Sequence, residues 1–226
     1  MEVDARRRVR SDGRGEPVGE ALVRAGQTLF SEHAVDAVAI DDIVREAGVA
    51  KGSFYKHFPD KEALLAAVAR RIRHRIEREV TAANADVADP ARRVARAICV
   101  YLRFVAEEPE QGGVLVRNDR SGQTLPSMKL SKGTVDDVSA GLAQGRFVVP
   151  TVEAGALFIL GVGHAGLTRF SGDREAASNI WIAQQLCQLV LRGLGLASME
   201  AELIAAQAAE DILRGPRQPA EEQGKP

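Results

Sequence analysis

Residues 48–64 have the sequence GVAKGSFYKHFPDKEAL, which combines a turn, a short helix and the start of a longer one. Gly48 supplies the backbone freedom that a tight turn between two helices requires. Phe54 and Phe58 are spaced to share the inner face of a short helix over about residues 51–58. Pro59 ends this helix, and Asp60 is a suitable N-cap for a long helix that follows.

The residues before this segment predict two amphipathic helices. Pro17 suits the first turn of one helix, and Ile40 begins a shorter one that the turn Ala47-Gly48-Val49 ends. The predicted apolar faces are Val18, Ala21, Leu22, Ala25 and Leu29 in the first helix, and Ile40, Ile43, Val44 and Ala47 in the second. Two short helices joined by a glycine turn form a helix-turn-helix arrangement.

The rest of the chain also predicts helices. One helix extends from Asp60 to about Ala83, the next from Asp89-Pro90 to about Ala106, and a third ends near Gly145. Two strong helices follow over about 151–170 and 173–194, with Thr151 and Asp173 as their caps. A final helix covers about 198–213. Residues 109–128 are less regular, with two glycine-containing turns. No run of four or more residues shows clean apolar–polar alternation bounded by turn signals, and 35 alanines favour helix over strand. The predicted fold class is all-α.

These elements divide the chain into four parts. We expect a flexible basic arm over residues 1–16, a three-helix helix-turn-helix domain over 17–60, a linking helix with a helical bundle over 61–213, and a disordered tail over 214–226. A chain of 226 residues, 45% of them hydrophobic, is long enough to bury a core without disulfides or metal. The composition excludes fibrous and disulfide-rich classes.

Several function classes lack support in the sequence. Cys99 and Cys187 are expected to be buried, reduced thiols, and the four histidines form no metal-ligand pattern. Because neither nucleophile nor phosphate-loop motifs occur, we expect no enzyme activity, no metal and no cofactor. The longest apolar run, residues 154–163, is far shorter than the ~20 residues that span a bilayer, and no signal peptide is visible, so a cytoplasmic protein is expected.

Net charge does not by itself indicate a nucleic-acid partner. The formal charge is −1, and residues 1–80 hold 15 Lys and Arg against 14 Asp and Glu. The local pattern is more informative, because the third helix presents Lys51, Gly52, Ser53, Tyr55, Lys56 and His57 outward. Such side chains reach base edges and phosphate oxygens in a major groove. The alternative is an ordinary helical hairpin with a solvated polar face.

GVAKGSFYKHFPDKEAL, with Leu29-Phe30 and Asp42-Ile43 upstream, resembles the DNA-binding signature of TetR-family transcriptional regulators over about residues 18–68. The resemblance implies that Lys51, Gly52, Ser53 and Tyr55 face bases and that Tyr55, His57 and Lys61 hold phosphates. It implies a homodimeric regulator that binds a palindromic operator in double-stranded DNA. Of the two regulatory roles, it favours a repressor over an activator. The C-terminal half would then bind a small-molecule effector that releases the DNA.

One position departs from the family pattern. Val38-Ala39 stands where relatives commonly have Thr or Ser before the second helix, and Ala is a poorer N-cap by ~1 kcal/mol. Asp41 and Asp42 suit the helix dipole but would repel DNA if they faced it. The arginines of residues 6–10 could compensate from a minor groove, or form a plain disordered arm.

The C-terminal helices contain a possible interface. Ala176, Ile180, Ala183, Cys187, Val190 and Leu194 follow the 4-3-4-3-4 spacing of a bundle seam. By resemblance, the dimer interface would comprise Gly163, Gly166, Ile180, Ala183, Cys187 and Val190; the alternative is a core helix within one chain. The sequence GVGHAG at 161–166 matches a dinucleotide fingerprint, but residues 176–199 hold no Asp or Glu, so a helix rich in small residues is the better interpretation.

Five side chains are candidates for lining an effector cavity. They are Tyr101, Phe104, Phe158, His164 and Trp181, which would otherwise be ordinary core residues. The alternative functions are an all-helical enzyme or ligand carrier with a structural N-terminal hairpin, and a helical adaptor that binds another protein. Sequence-specific binding to a DNA palindrome separates the regulator from both.

Overall fold

The computed structural model describes residues 16–120, 131–170 and 176–214, which form helices joined by short connecting segments and contain no strand. The helices are α1 (Val18–Glu32), a 3-10 turn (Val35–Ala37), α2 (Ile40–Glu46), α3 (Lys51–His57), α4 (Lys61–Ala83), α5 (Pro90–Glu107), α6 (Pro109–Arg120), α7 (Lys132–Ala143), α8 (Val152–Phe170), α9 (Ala176–Gly193) and α10 (Ser198–Ala209), followed by a π turn (Glu210–Arg214). The predicted all-α class is confirmed. The predicted arm up to residue 15, the cap Asp173 and the tail from residue 215 lie outside the described residues.

Helices α1, α2 and α3 form the predicted helix-turn-helix unit around Phe54. Gly48 adopts φ +66°, and the Val49 amide donates to the Val44 carbonyl at 3.0 Å, which closes the end of α2. Leu22, Ile43 and Phe54 are fully buried. The apolar face of α1 is centred differently from the prediction: Val18 is exposed, whereas Gly26 and Phe30 are buried.

Helix α4 extends from the helix-turn-helix unit into the C-terminal part of the chain. The Asp60 carboxylate accepts a hydrogen bond from the Ala63 amide at 2.7 Å, as its cap position predicts. Near this end α4 packs closely on α1, because a Cβ on Gly26 would lie 3.1 Å from Leu64. The 23 residues of α4 span about 35 Å at 1.5 Å per residue.

Helix α5 is the centre of the C-terminal part and packs against α4, α6, α7, α8, α9 and α10. Asp89 caps it by accepting from the Ala91 amide at 3.0 Å, and Pro90 occupies its first turn as predicted. Buried residues occur on every side of α5, among them Ala95, Val100, Leu102 and Phe104. Within α5 only Arg92, Ala106 and Glu107 are exposed.

The interpretation of residues 109–128 as irregular is wrong for residues 109–120. These residues form α6, and Gly112 and Gly113 lie inside it, whereas Gly122 lies outside the described residues. Each glycine costs about 1 kcal/mol relative to alanine in a helix. The burial of Val114 and Leu115 against the rest of the chain opposes that cost.

The glycine pattern at 161–166 belongs to α8, as the helical interpretation predicts. Only Gly166 is closely packed, since a Cβ there would lie 3.0 Å from Leu102 and 3.1 Å from Leu186. Added Cβ atoms at Gly161 and Gly163 would meet nothing within 4 Å. Close packing in this stretch is therefore limited to one glycine. Among the helices of the described residues, none has the length and apolar character to cross a membrane.

Two helical glycines, Gly141 and Gly113, give opposite stability predictions. A Cβ at Gly141 would overlap the buried ring of Phe147, whereas a Cβ at Gly113 meets nothing within 4 Å. We expect Gly141→Ala to lower the free energy of unfolding by about 1–3 kcal/mol through overpacking. Gly113→Ala should raise it by up to about 1 kcal/mol through helix propensity. Urea unfolding followed by circular dichroism measures both, and equal effects of the two substitutions would contradict this packing.

Candidate functional site

The orientation of α3 is set by its one buried side chain. Phe54 is fully buried and contacts the rings of Tyr55 and Phe58, with centroid distances of 5.4 and 6.0 Å. Because α3 has only seven residues, the burial of Phe54 and the turn at Gly48 determine which face points outward.

The outward face of α3 carries the side chains that the sequence assigned to DNA. Lys51, Gly52, Tyr55, Lys56 and His57 are exposed, and Tyr55 retains 53% of its accessible surface. Ser53 is partly buried. A Cβ at Gly52 would meet nothing within 4 Å, so a ligand can approach the backbone there. This face is continuous, polar and positioned by a rigid core.

His57 lies beside the start of α1. A Cβ on Gly19 would lie 3.2 Å from His57 Nδ1, so the imidazole packs directly on the first turn of that helix. The free amides of that turn carry a partial positive charge. An anion that contacts His57 would therefore also lie in the favourable field of α1.

Lys61 has a different environment from the other predicted DNA contacts. Its ammonium donates to the Val35 carbonyl at 2.9 Å and the Val38 carbonyl at 3.1 Å. These carbonyls belong to the 3-10 turn and its end, which leads into α2. The side chain thus connects the start of α4 to the entry of the helix-turn-helix, a role that sequence reasoning missed.

Lys51 is paired with an acidic residue of the neighbouring helix. Its Nζ lies 2.7 Å from Asp41 Oδ1 at the first turn of α2. The hydrogen bond that Lys51 donates to the Asp41 carboxylate, together with the negative charge of Asp41, raises the pKa of Lys51. Both side chains are more than half exposed. A candidate base-contacting cation is thus held by a carboxylate within the same surface.

Asp42 explains how α2 begins without a Ser or Thr cap. Its carboxylate accepts from the Ala39 amide at 3.2 Å and also pairs with Arg45. This is the acidic half of a capping box, with the acid three residues inside the helix. The predicted weakness at Ala39 is therefore offset by Asp42.

A polar network joins the helices behind the helix-turn-helix unit. Arg75 on α4 binds Glu108 through two hydrogen bonds of 3.0 and 2.5 Å, and its guanidinium lies 5.2 Å from the Phe104 ring centroid. Arg103 Nη2 lies 3.8 Å from Glu79, and Arg103 Nη1 donates to the Ile212 carbonyl at 3.0 Å. The network connects α4, α5 and the final π turn.

The five candidate pocket residues do not form one cavity lining. Phe104 is fully buried, whereas Trp181 is 64% exposed and Phe158 is 39% exposed. Tyr101 and His164 are partly buried. Burial, reinforced by the charge of Glu77, raises the pKa of Tyr101 to about 12. The sequence could not separate aromatic residues that face the core from those that face outward.

The predicted interface seam on α9 is occupied within the chain. Ala183, Cys187 and Val190 are fully buried, and the Cys187 thiol lies 3.7 Å from the Cys99 thiol on α5. This thiol contact and complete burial raise the pKa of Cys187. Gly166 is packed against α5, and Ile180 and Gly163 are only partly buried. The intrachain alternative holds for the three central residues, which are not available to a second copy.

A different face of α8 and α9 is apolar and exposed. It comprises Leu157 and Phe158 on α8, and Trp181 and Leu189 on α9. The Phe158 ring lies over Gly193, one turn after Leu189, so the two helices contribute to one surface. We call these four residues the outer α8–α9 face. The sequence signal that would have indicated this face is the presence of apolar residues on both sides of each helix.

Comparison with protein families agrees with this arrangement. Residues 22–68 match the model described as bacterial regulatory proteins, tetR family. Residues 89–207, more than half of the chain, match the model described as tetracyclin repressor-like, C-terminal domain. The chain belongs to the TetR family. The resemblance noted in the sequence is confirmed over both parts of the chain.

Curated TetR-family relatives match mainly in the N-terminal part. An uncharacterized HTH-type regulator of Mycobacterium tuberculosis (strain H37Rv) is 30% identical over 96 residues, 42% of this chain and 48% of the relative. The repressor DhaR of Mycobacterium sp. (strain GP1) is 32% identical over 45% of this chain and 50% of its own. The chain thus spans about half the length of these relatives. BepR of Brucella suis, named a repressor, is 26% identical over 78% and 76% of the two chains.

Solved structures show the same fold. RolR in complex with resorcinol has a TM-score of 0.62 at 24% identity, covering 84% of this chain and 93% of RolR. A TetR-family regulator from Pectobacterium atrosepticum has a TM-score of 0.65 at 24% identity, with 78% and 93% covered. The helix-turn-helix followed by a helical C-terminal domain is therefore the architecture of this TetR-family chain.

The environment of Lys61 leads to a stability prediction. Lys61→Met removes the donor for the Val35 and Val38 carbonyls while it keeps the apolar stem. Hydrogen bonds from a charged group contribute about 1.5–3 kcal/mol, so we expect a loss of about 1–2 kcal/mol in the free energy of unfolding for this partly buried group. Lys56→Met is the control on the exposed face of α3 and should change it by less than about 0.5 kcal/mol. Urea unfolding distinguishes the two variants. An unchanged free energy of unfolding in Lys61→Met would contradict the structural role of Lys61.

Proposed function

We propose that this TetR-family protein is a DNA-binding transcriptional regulator whose helix α3 enters the major groove. The observation that carries the proposal is the polar, exposed face of α3, fixed by the complete burial of Phe54. A recognition helix must present its base-contacting side chains in a defined direction, and this short helix has no freedom to rotate about its buried ring.

The proposed contacts follow from position on α3. Lys51, Gly52 and Ser53 are in its first turn, which a recognition helix directs towards base edges. Tyr55, Lys56 and His57 are exposed further along, and we assign them to phosphates. Lys61 is left out of the phosphate set, because its ammonium already binds backbone carbonyls. Its proposed role is to position the segment before α2.

We further propose that the protein acts as a homodimer through the outer α8–α9 face. Large apolar side chains that remain exposed on one surface mark interaction sites, and Leu189 is 57% exposed. Gly161 is exposed on α8 without a neighbour within 4 Å of its Cβ position, which permits close approach of a second backbone. A two-fold dimer would place two copies of α3 on a palindromic operator.

The proposed regulatory role is repression that a small molecule relieves. DhaR and BepR are both named repressors, and RolR was solved with resorcinol bound. Three residues separate α3 from α4, and α4 reaches α5 and α6, so a shift in the C-terminal part moves the recognition helix. A ligand that prefers a dimer with differently spaced recognition helices weakens operator binding. The weakening cannot exceed the difference in the ligand's affinity between that dimer geometry and the DNA-bound one.

Selection of bound sites from random duplex DNA tests the proposed function directly. We expect recovered half-sites related by a two-fold axis. On such a duplex, Tyr55→Phe with His57→Ala should weaken specific and nonspecific binding alike, because both residues are assigned to phosphates. Ser53→Ala or Lys51→Ala should relax base preference by about 1–3 kcal/mol. With ~6 phosphates neutralised per dimer, the logarithm of the association constant should fall against log salt with a slope near –5.

Asp41→Asn is a control for which the same DNA-binding measurements should change in the opposite direction. It frees Lys51 from its carboxylate partner, so binding to nonspecific DNA should tighten and the salt dependence should become steeper. Wild-type affinity in the Tyr55/His57 double variant, or weaker binding by Asp41→Asn, would contradict the assignment of this surface to DNA.

The dimer proposal predicts the effect of a charge in the outer α8–α9 face. Leu189→Arg places two guanidinium groups near the two-fold axis, so sedimentation should show a monomer and operator affinity should collapse. Met199→Arg is the matched control, because Met199 is 84% exposed on α10 outside this face. A Leu189→Arg protein that stays dimeric would place the interface elsewhere.

A further inference from the structure

The two cysteines of the chain meet in the C-terminal core. Cys99 on α5 and Cys187 on α9 are 88 residues apart in sequence, yet their sulfur atoms lie 3.7 Å from each other. Both side chains are fully buried. The chain contains two cysteines in all, so the fold places every thiol of the protein at one point.

The packing of α9 on α5 holds the two thiols together. The Cys187 thiol donates to the Ala95 carbonyl at 3.5 Å, so this side chain lies directly on the α5 backbone. Ala95 on α5 and Ala183, one turn before Cys187 on α9, are fully buried as well. A disulfide bond is about 2.05 Å long, so the sulfur atoms must approach by about 1.7 Å to form one. Rotation about the two Cα–Cβ bonds can supply much of this distance.

Other reactions of the two thiols have less support. Within the residues that the structure describes, no group of three or more His, Cys, Asp or Glu side chains could hold a metal ion. A structural zinc site needs four such ligands. Complete burial also leaves no space for a bulky thiol adduct on either sulfur. The second cysteine is therefore the reaction partner that the fold provides for the first.

We propose that Cys99 and Cys187 form an oxidation site, at which a small hydroperoxide converts the two thiols into an intramolecular disulfide. One sulfur loses its proton and attacks the terminal oxygen of the hydroperoxide, whose O–O bond breaks. The products are a sulfenic acid and an alcohol, or water when the oxidant is hydrogen peroxide. The second sulfur then attacks the sulfenic sulfur, the S–O bond breaks, and water leaves with the remaining thiol proton. Two thiols are thus oxidised by two electrons, which reduce one hydroperoxide.

Burial determines both the rate and the product of this reaction. The oxidant reaches the thiols when α5 and α9 open locally. The hydrogen bond with Cys99 and complete burial raise the pKa of Cys187, which disfavours the reactive thiolate. Oxidation is therefore slow, and the disulfide records sustained rather than brief exposure to the oxidant. Because the second thiol is adjacent, it captures the sulfenic acid before another hydroperoxide oxidises it further.

The disulfide joins two helices that contact other parts of the molecule. Helix α5 packs against α4, and α9 carries Trp181 and Leu189 of the outer α8–α9 face. The bond fixes α9 on α5 and closes a chain segment of 88 residues. An effect of the bond on DNA binding rests on the proposed function, whereas formation of the bond does not.

Mass spectrometry of the full-length protein tests the proposal. The reduced protein, without DNA, is incubated with hydrogen peroxide, and catalase then removes the oxidant. The chain is unfolded and alkylated with N-ethylmaleimide. We expect a single chain that has lost two hydrogen atoms and carries no alkylated cysteine, with the Cys99 peptide linked to the Cys187 peptide. Dithiothreitol should restore both thiols.

Urea unfolding shows whether the bond fits the native packing. The oxidised protein should unfold at a urea concentration about 1 M higher than the reduced protein, because the closed loop restricts the unfolded chain. Cys99→Ala and Cys187→Ala are the matched controls. Neither variant can form the bond, so peroxide should leave the unfolding midpoint of each unchanged.

Two alkylated thiols after prolonged exposure to peroxide would overturn the proposal, as would a sulfinic acid or a disulfide between two chains. A lower midpoint for the oxidised protein would also overturn it, because the bond would then form only in unfolded molecules. If an alanine variant does not fold, the linked peptide and the wild-type midpoint give the decision. None of these measurements uses DNA. A failure to recover any DNA sequence in the selection experiment would therefore contradict the proposed function while the result for the cysteine pair stands.

Discussion

The burial of one face of α4 at both of its ends is the constraint on which the other parts of the molecule depend. Leu64 and Val68 lie against α1 at Gly26, and Ile72 and Ile76 continue the same buried face towards α5 and α6. A helix that is packed at both ends cannot move in one part of the protein without moving in the other. The position of α3 is therefore set together with the packing of the C-terminal helices.

The N-terminal part could be predicted from sequence because its signals are local. The turn at Gly48, the break at Pro59 and the cap at Asp60 each depend on a few neighbouring residues, and all occur where expected. The polar face of α3 followed from the positions of Phe54 and Phe58. The sequence related Asp42 only to the helix dipole. The hydrogen bond that Asp42 accepts from the Ala39 amide, and the pairing of Asp41 with Lys51, could be recognised only from interatomic distances in the structure.

The C-terminal part could be predicted as helices but not as contacts. The seam of Ala183, Cys187 and Val190 was correctly periodic, yet periodicity cannot say whether the partner is α5 of the same chain or a second copy. Apolar residues on two faces of α8 and α9 make that choice ambiguous. Glycines in α6 were taken for turns because their cost in a helix is local, whereas the burial that opposes it is not.

The charge balance of α2 and α3 has a consequence for behaviour in the cell. From Ile40 to His57 the chain holds three basic residues, Arg45, Lys51 and Lys56, and three acidic ones, Asp41, Asp42 and Glu46. The phosphate contacts of such a surface are partly offset by its own carboxylates, so it binds DNA of unrelated sequence less tightly than a purely basic surface with the same contacts. Chromosomal DNA would then retain fewer molecules of such a regulator. Occupancy of one operator would depend on the match of its bases and on the number of free dimers, because the genome would act as a weaker competitor.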